Sequence, residues 1–234
     1  MALSFMGGEA HADDLSVPLG AKHQLVLGEL AGMRLSPNGT SFQGPLGFRT
    51  GSVTVDQFGA NANEASLTTS YTSVWFAPSA DFFVIDHLSV GGLFEISSTS
   101  SSTEVAEGNA ARKVNLPTTT DFSALARVGY MIPIGEKFGI WPRGGLGFRS
   151  QQVAQTNVQN DDTAAKETTK GVYFGLDVNA LWRPVNNVYF VLAPELLLLP
   201  GGSFVRSQGN SESSVDASAV QFSLRTGVGV LLDL

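Results

Sequence analysis

Six stretches of the chain alternate apolar and polar residues with a period of two. This alternation restricts what the sequence can become more than any other feature. The windows are 88–96, 122–134, 138–148, 172–182, 188–198 and 220–232. Their even-numbered positions carry no charge; the fourth window, for instance, reads Val172, Phe174, Leu176, Val178, Ala180 and Trp182. The odd positions hold Glu95, Arg127, Arg143, Asp177, Glu195 and Arg225, together with many Gly. Successive side chains of a strand point to opposite faces, so each window reads as a strand with one apolar face. Gln24 to Arg34 and Leu67 to Ala77 alternate less cleanly and bring the expected number of strands to eight. Helical periodicity is not visible, and no tandem repeat stands out beyond the hairpin rhythm.

The connections alternate in length. Met33 to Ser66, Ser97 to Thr120, Gln151 to Lys170 and Pro200 to Asp216 are long and polar. Pro78 to Asp86, Gly135 to Lys137 and Pro184 to Asn187 are short. Four long loops at one end and three tight turns at the other describe an antiparallel up-and-down meander.

Composition decides which way the apolar face points. Only 15% of the residues are charged, with 26 Gly among 234 residues and no Cys. In a soluble barrel or sandwich the outer face would be rich in Lys and Glu. Here the polar face is sparse in charge and rich in Gly, which suits the bore of a narrow closed barrel. The apolar face is then outside, toward hydrocarbon, and windows of about 11 residues match the length of a tilted membrane-spanning strand. An open sheet in lipid would leave its edge N–H and C=O groups unpaired, so the sheet must close. No apolar run reaches the roughly 18 residues of a spanning helix. Aromatic residues fall into two expected belts. Tyr130, Phe138, Trp182 and Phe190 lie near the tight turns, and Phe94, Phe122, Phe148, Phe174 and Phe222 near the long loops.

Other classes are excluded more directly. A net charge of −7 argues against nucleic acid as a partner. Without Cys, and with three His, the chain has no thiol chemistry and almost no means of building a soft-metal site; no cofactor or metal is expected. Ala10-His11-Ala12 has the form of a signal-peptidase site. Residues 1–12 therefore read as a residual signal peptide, and 13–234 as one barrel domain.

Two segments resemble a known family. The run Phe82 to Gly92, within Tyr71 to Phe94, resembles the first periplasmic turn and third strand of small bacterial outer-membrane β-barrel proteins of the OmpA/OmpX-like, eight-stranded kind. Arg225, Gly227, Val230 and Leu232 are similar to the C-terminal assembly signal of that family, which usually ends in an aromatic residue where this chain ends Asp233-Leu234. The resemblance implies a Gram-negative outer membrane, periplasmic termini, surface-exposed loops, and contact with lipopolysaccharide and the barrel-assembly machinery. A monomer is expected.

Few residues invite a catalytic reading. His87 and Ser89 echo the His-x-Ser pair of lipid A deacylases, which resemble this fold. Both fall at odd, inward positions beside a tight turn, whereas lipid A is reached from outside in the other leaflet. Gly144-Gly145 and Gly227-Val228-Gly229 lack the Lys and helix of a phosphate loop. Asp161-Asp162, Glu104 and Glu107 are loop acids suited to divalent cations or simply to solvent. Gly139-Ile140-Trp141 has the lipocalin G-x-W form, but in the fifth strand rather than the first. The six inward charges read as a salt-bridged plug, since an unpaired buried charge costs several kcal/mol. The expected function is non-enzymatic: a structural or surface role carried by the long loops, whose ligand the sequence does not name. The runner-up is a narrow conduit for small hydrophobic solutes, with Pro142 and Pro194 opening the wall; the remote alternative is a lipid A-modifying enzyme.

Overall fold

The computed structural model describes residues 17–36, 39–57, 65–107, 110–156, 163–208 and 211–234. The expected signal peptide and Asp161-Asp162 lie outside them. Thirteen strands are present among the described residues: β1 (Gln24–Ser36), β2 (Gly39–Gln43), β3 (Leu46–Gln57), β4 (Ala65–Phe76), β5 (Ser79–Ile85), β6 (Leu88–Glu107), β7 (Ala110–Asn115), β8 (Thr118–Tyr130), β9 (Ile132–Ile134), β10 (Phe138–Thr156), β11 (Thr163–Val185), β12 (Val188–Gln208) and β13 (Ser211–Asp233). All pairings are antiparallel, and they form a ring. β1 pairs with β13, followed in turn by β12, β11, β10, β8, β6 and β5, and β5 pairs back onto β1.

The strand count exceeds the expected eight for two reasons. Some staves are split. β4 and β5 continue one another across Ala77-Pro78 without losing register on β6, because Pro78 has no N–H for the ladder. Met131 separates β8 from β9 in the same way, its N–H donating to the His87 carbonyl at 2.7 Å rather than to the ladder. The second reason corrects the long loops. Most of Met33–Ser66, Ser97–Thr120, Gln151–Lys170 and Pro200–Asp216 is strand. These polar stretches are rich in Ser and Thr, whose hydroxyls pair across the ladder: Ser73 with Thr99 at 2.8 Å, Thr69 with Thr103 at 3.0 Å. The hairpins therefore rise well beyond the apolar band. Pro78 to Asp86, expected as a short connection, is mostly β5, and the turn proper is Asp86-His87.

Even-numbered positions of the six windows face outward. Val128, Leu146, Val172, Phe174, Leu176, Val178, Leu192 and Phe222 are all exposed, Leu176 at 50%. Phe94 and Phe122 meet edge to face at 5.5 Å, Phe122 and Phe148 at 6.5 Å, and Trp182 stacks on Phe190 at 5.3 Å near the tight turns. A belt of exposed apolar side chains this continuous marks a surface built to be covered.

The interior departs from the expectation of Gly and charges alone. At the tight-turn end Leu19, Val26, Phe83, Met131, Trp141, Leu181, Tyr189, Val191 and Leu231 form a buried apolar core. Odd positions there are large, and space for them comes from glycines on the neighbouring strand. A Cβ at Gly229 would overlap the Tyr189 ring, and one at Gly129 the Trp141 indole. Residues 17–23 cap this core. Arg183 donates to the carbonyls of Val17 (2.8 Å) and Glu136 (3.1 Å), and Gln24 exchanges hydrogen bonds with Gly20 N (2.9 Å) and Pro18 O (3.1 Å).

Gly91 tests how tightly this wall is built. A Cβ there would meet the Ala80 carbonyl and Asp81, which the ladder prevents from moving, whereas one at Gly201 meets nothing within 4 Å. Gly91→Ala is expected to lower unfolding stability by about 1–3 kcal/mol, and Gly201→Ala to leave it nearly unchanged, in denaturant unfolding of the detergent-solubilised protein.

Candidate functional site

Above the apolar core lies a layer of buried ions. Asp81, on β5, is its hub. Its Oδ1 accepts from Arg127 Nε at 3.0 Å and its Oδ2 from Arg143 Nη1 at 2.9 Å. Arg143 turns its other edge to Asp177, Nε to Oδ1 at 2.8 Å and Nη2 to Oδ2 at 3.0 Å. Asn179 contacts Asp177, accepts from Arg225 at 2.9 Å, and donates to the Trp141 carbonyl at 3.0 Å. The Arg143 guanidinium lies 4.5 Å above the Trp141 ring and so joins the ionic layer to the apolar core. A second group sits nearby: Arg34 pairs with Glu195 at 3.1 Å, and Ser223 Oγ donates to Glu195 at 3.0 Å.

Of the six charges named from the sequence, Arg127, Arg143, Asp177, Glu195 and Arg225 are buried in this layer, and Glu95 is half-buried beside it. The sequence reading missed Asp81, Arg34 and Asn179. Asp81 lay in a stretch taken as a turn, and Arg34 on a strand whose inward face was ambiguous. Outside the irregularity between Leu27 and Ala31, the even positions of β1 are inward, as the pairing Arg34↔Arg225 shows. Gly227 is buried beside Arg225, while Val230 and Leu232 face outward on the same strand. All nine belt aromatics are exposed.

His87 and Ser89 are not brought together as a catalytic pair. His87 occupies the turn with φ 70° and leans on Tyr130, with ring centroids 6.1 Å apart. Ser89 is fully buried; it donates to Gly129 O at 3.3 Å and accepts from Trp141 Nε1 at 3.1 Å. Its hydroxyl is a structural bridge. Among the described residues no group of three or more His, Asp or Glu is arranged to hold a metal ion.

Cavities continue above the ionic layer. The first, about 200 Å³, is lined by Arg34, Arg49, Trp75, Leu93, Glu95 and Leu125 among others, and reaches the wall at Gly44 and Ala77. A smaller one of about 60 Å³, lined by Leu93, Leu125, Arg149, Tyr173 and Leu197, links it to a third of about 130 Å³ at Tyr173, Leu197 and Leu199. Arg149 pairs there with Asp121 at 3.0 Å.

The wall beside the first cavity is irregular. Below it, β1 pairs with β5 from Leu25↔Phe82 to Gly28↔Ser79. Between Leu27 and Ala31 the register on β13 shifts, and from Gly32 upward β1 pairs with β2 instead. β3 pairs with β4, and among the described residues no ladder joins β2 to β3. The two diverge from Gly44-Pro45, leaving a notch. Its base is held by Trp75 Nε1 donating to Gly44 O at 3.2 Å and Ala77 N to Pro45 O at 2.8 Å. The indole lies across Gly47, where a Cβ would overlap it.

Pro142 and Pro194, expected to interrupt strand pairing, do so on one side each: the ladder beside Pro142 passes from Arg143↔Gly129 to Ile140↔Ile132, and that beside Pro194 from Asp177↔Glu195 to Ala180↔Leu192, without a change of register. Pro142 is paired with Val178 and Pro194 with Leu224, and the ladders on their other sides resume within a few residues. Each ring removes one donor, so the ladder lapses on one side while the other stays paired. The break arises where a strand changes partner.

No family model and no curated protein matches the chain. Among solved structures it is similar to the outer membrane protein OprG from Pseudomonas aeruginosa, with 10% identity over 93% of this chain and 100% of that one and a TM-score of 0.49. It is also similar to the outer membrane protein AlkL in DMPC lipid bilayers, with 13% identity over 92% of each chain and a TM-score of 0.43.

The hub makes a direct prediction. Asp81→Asn leaves Arg127 and Arg143 short of a buried counter-charge, and stability is expected to fall by about 3–5 kcal/mol. Equilibrium unfolding in detergent against the parent protein checks it.

Proposed function

We propose that the chain is a bacterial outer-membrane barrel, with its tight turns and termini on the periplasmic side and its hairpins outside, and that it serves as a side-opening conduit for small, largely apolar solutes. The observation that carries this reading is the pairing of a plugged floor with a notched wall. The core around Trp141, Met131 and Phe83 fills the bore at one end, and the ionic layer seals it further. The cavities above are lined by Leu93, Leu125, Leu197 and Leu199 together with charged and hydroxyl side chains, and the lining of the first includes Gly44 and Ala77 at the wall. A solute entering between the hairpins meets a blocked floor and the notch in the wall beside it. The reading is non-enzymatic. The only candidate nucleophile raised by the sequence, Ser89, is engaged on both sides and shut away from lipid.

The polar hairpins favour a second reading alongside it. β6–β7, β10–β11 and β12–β13 extend as paired strands past the apolar belt. Such a rim is suited to contact with lipopolysaccharide or another surface ligand, and it also walls off the entrance.

Leu93 lines both the first cavity and the link above it. Leu93→Trp is expected to slow uptake of a radiolabelled six-carbon alcohol by cells carrying the protein in their outer membrane, at equal surface abundance. Uptake unchanged by the substitution would contradict the conduit; so would a large steady conductance of the parent protein in planar bilayers, since the bore is plugged.

A further inference from the structure

Resting on the conduit reading, we infer that the chamber behind the notch recognises a hydroxyl head: it takes short neutral alcohols, with the hydroxyl held on Glu95 and the chain lying on Leu93 and Leu125. The polar groups of the chamber differ in what they already hold. Asp177 accepts from Arg143, and Glu195 from Arg34 and Ser223. The Ser73 and Thr99 hydroxyls bond one another at 2.8 Å, and Trp75 Nε1 donates to Gly44 O at 3.2 Å. Glu95 lines both the first cavity and the link above it. Of the acids lining these two cavities it is the one whose carboxylate makes no ion pair and no hydrogen bond among the described residues. A partly buried acceptor of this kind discriminates by what it loses. A solute with a donor replaces its water, whereas a solute without one leaves it unpaired.

The place of Glu95 in the wall fits the side exit. It lies between the rungs Phe76↔Ile96 and Ser79↔Leu93, beside Ala77 and Pro78, where Phe94 N donates to Pro78 O at 3.1 Å. The acceptor is therefore level with the base of the notch. The apolar surface begins one inward rung below it: Leu93 pairs with Leu125 across β6 and β8, as Glu95 does with Ser123. A hydroxyl on Glu95 lays the carbons next to it on that leucine pair. At about 200 Å³ the first cavity suits a short chain, below the size of most drug-sized sites. The exit also requires a neutral head, since moving an ion into lipid costs far more than moving a hydroxyl.

Hexanol and methyl pentyl ether contain the same atoms and differ in the donor; hexylammonium adds a charge. The measurements are ligand-observed NMR binding to the full chain in nanodiscs, corrected for empty discs, and uptake by cells carrying the protein against cells without it. Hexanol is expected to bind about tenfold more tightly than the ether, the size of one hydrogen bond to a charged group. Glu95→Leu should bring the two together, and Glu95→Gln, which keeps a carbonyl acceptor, should retain part of the preference. Both variants remove the same charge, so a preference kept by Gln and lost with Leu separates the acceptor from charge loss and misfolding. Hexanol and the ether binding alike while both enter overturns the hydroxyl site and leaves the conduit standing. Hexylammonium binding more tightly than hexanol, or a preference for hexanol that survives Glu95→Leu, overturns the hydroxyl site as well. Entry of neither neutral solute overturns both the site and the conduit.

Discussion

The structure depends on a short seam. Among the described residues the ring closes only where Leu25–Gly28 of β1 meet Ser79–Phe82 of β5. Without those pairs the sheet would have two free edges, each a row of unsatisfied N–H and C=O groups beside an apolar outer face. The seam is short because β1 and the β4–β5 stave part company immediately above it. What reinforces it lies inside: Asp81, in the middle of the β5 segment, is gripped by Arg127 and Arg143 from strands further round the ring. The buried ions thus act as a tie across the bore as well as a plug within it.

The notch follows from the same geometry. Once β1 leaves β5 for β2, and β4 takes β3 as its partner, the wall has a wedge of two strands joined only at Gly44-Pro45. A barrel with uniform staves would hide its bore from the sides. This one gives its chamber a lateral boundary made of one proline turn, one indole hydrogen bond and one carbonyl contact. The notch is the consequence of that single change of partner.

Alternation made the outer face legible. Period two alone puts Phe174, Leu176 and Val178 on one side and Asp177 and Asn179 on the other, and the same parity places Arg127, Arg143 and Arg225 in the bore. Four features were not legible. Asp81 was hidden because Pro78 reads as a turn, although the ladder resumes in register directly after it. The large inward residues Trp141 and Tyr189 look misplaced on a polar face until the glycines beside them on the neighbouring strands, Gly129 and Gly229, are known. The notch is hidden because a missing donor, as at Pro142 and Pro194, is visible in sequence, whereas a strand that exchanges neighbours is not. Polar hairpins read as loops for a related reason. Ser- and Thr-rich segments lack an apolar face, yet their hydroxyls and backbone still pair.

The central claim is that the exposed apolar belt faces lipid while the ionised residues face one another within the ring. The native chain has no Cys, so single labels are easily placed. Spin labels at Leu176→Cys and at Ser223→Cys, in the protein reconstituted in bilayers, measure it through collision with oxygen and with a water-soluble nickel complex. We expect the label at 176 to be reached by oxygen and shielded from nickel, and the label at 223 to be shielded from lipid. A label at 176 open to nickel, as on a water-facing wall, would contradict the account.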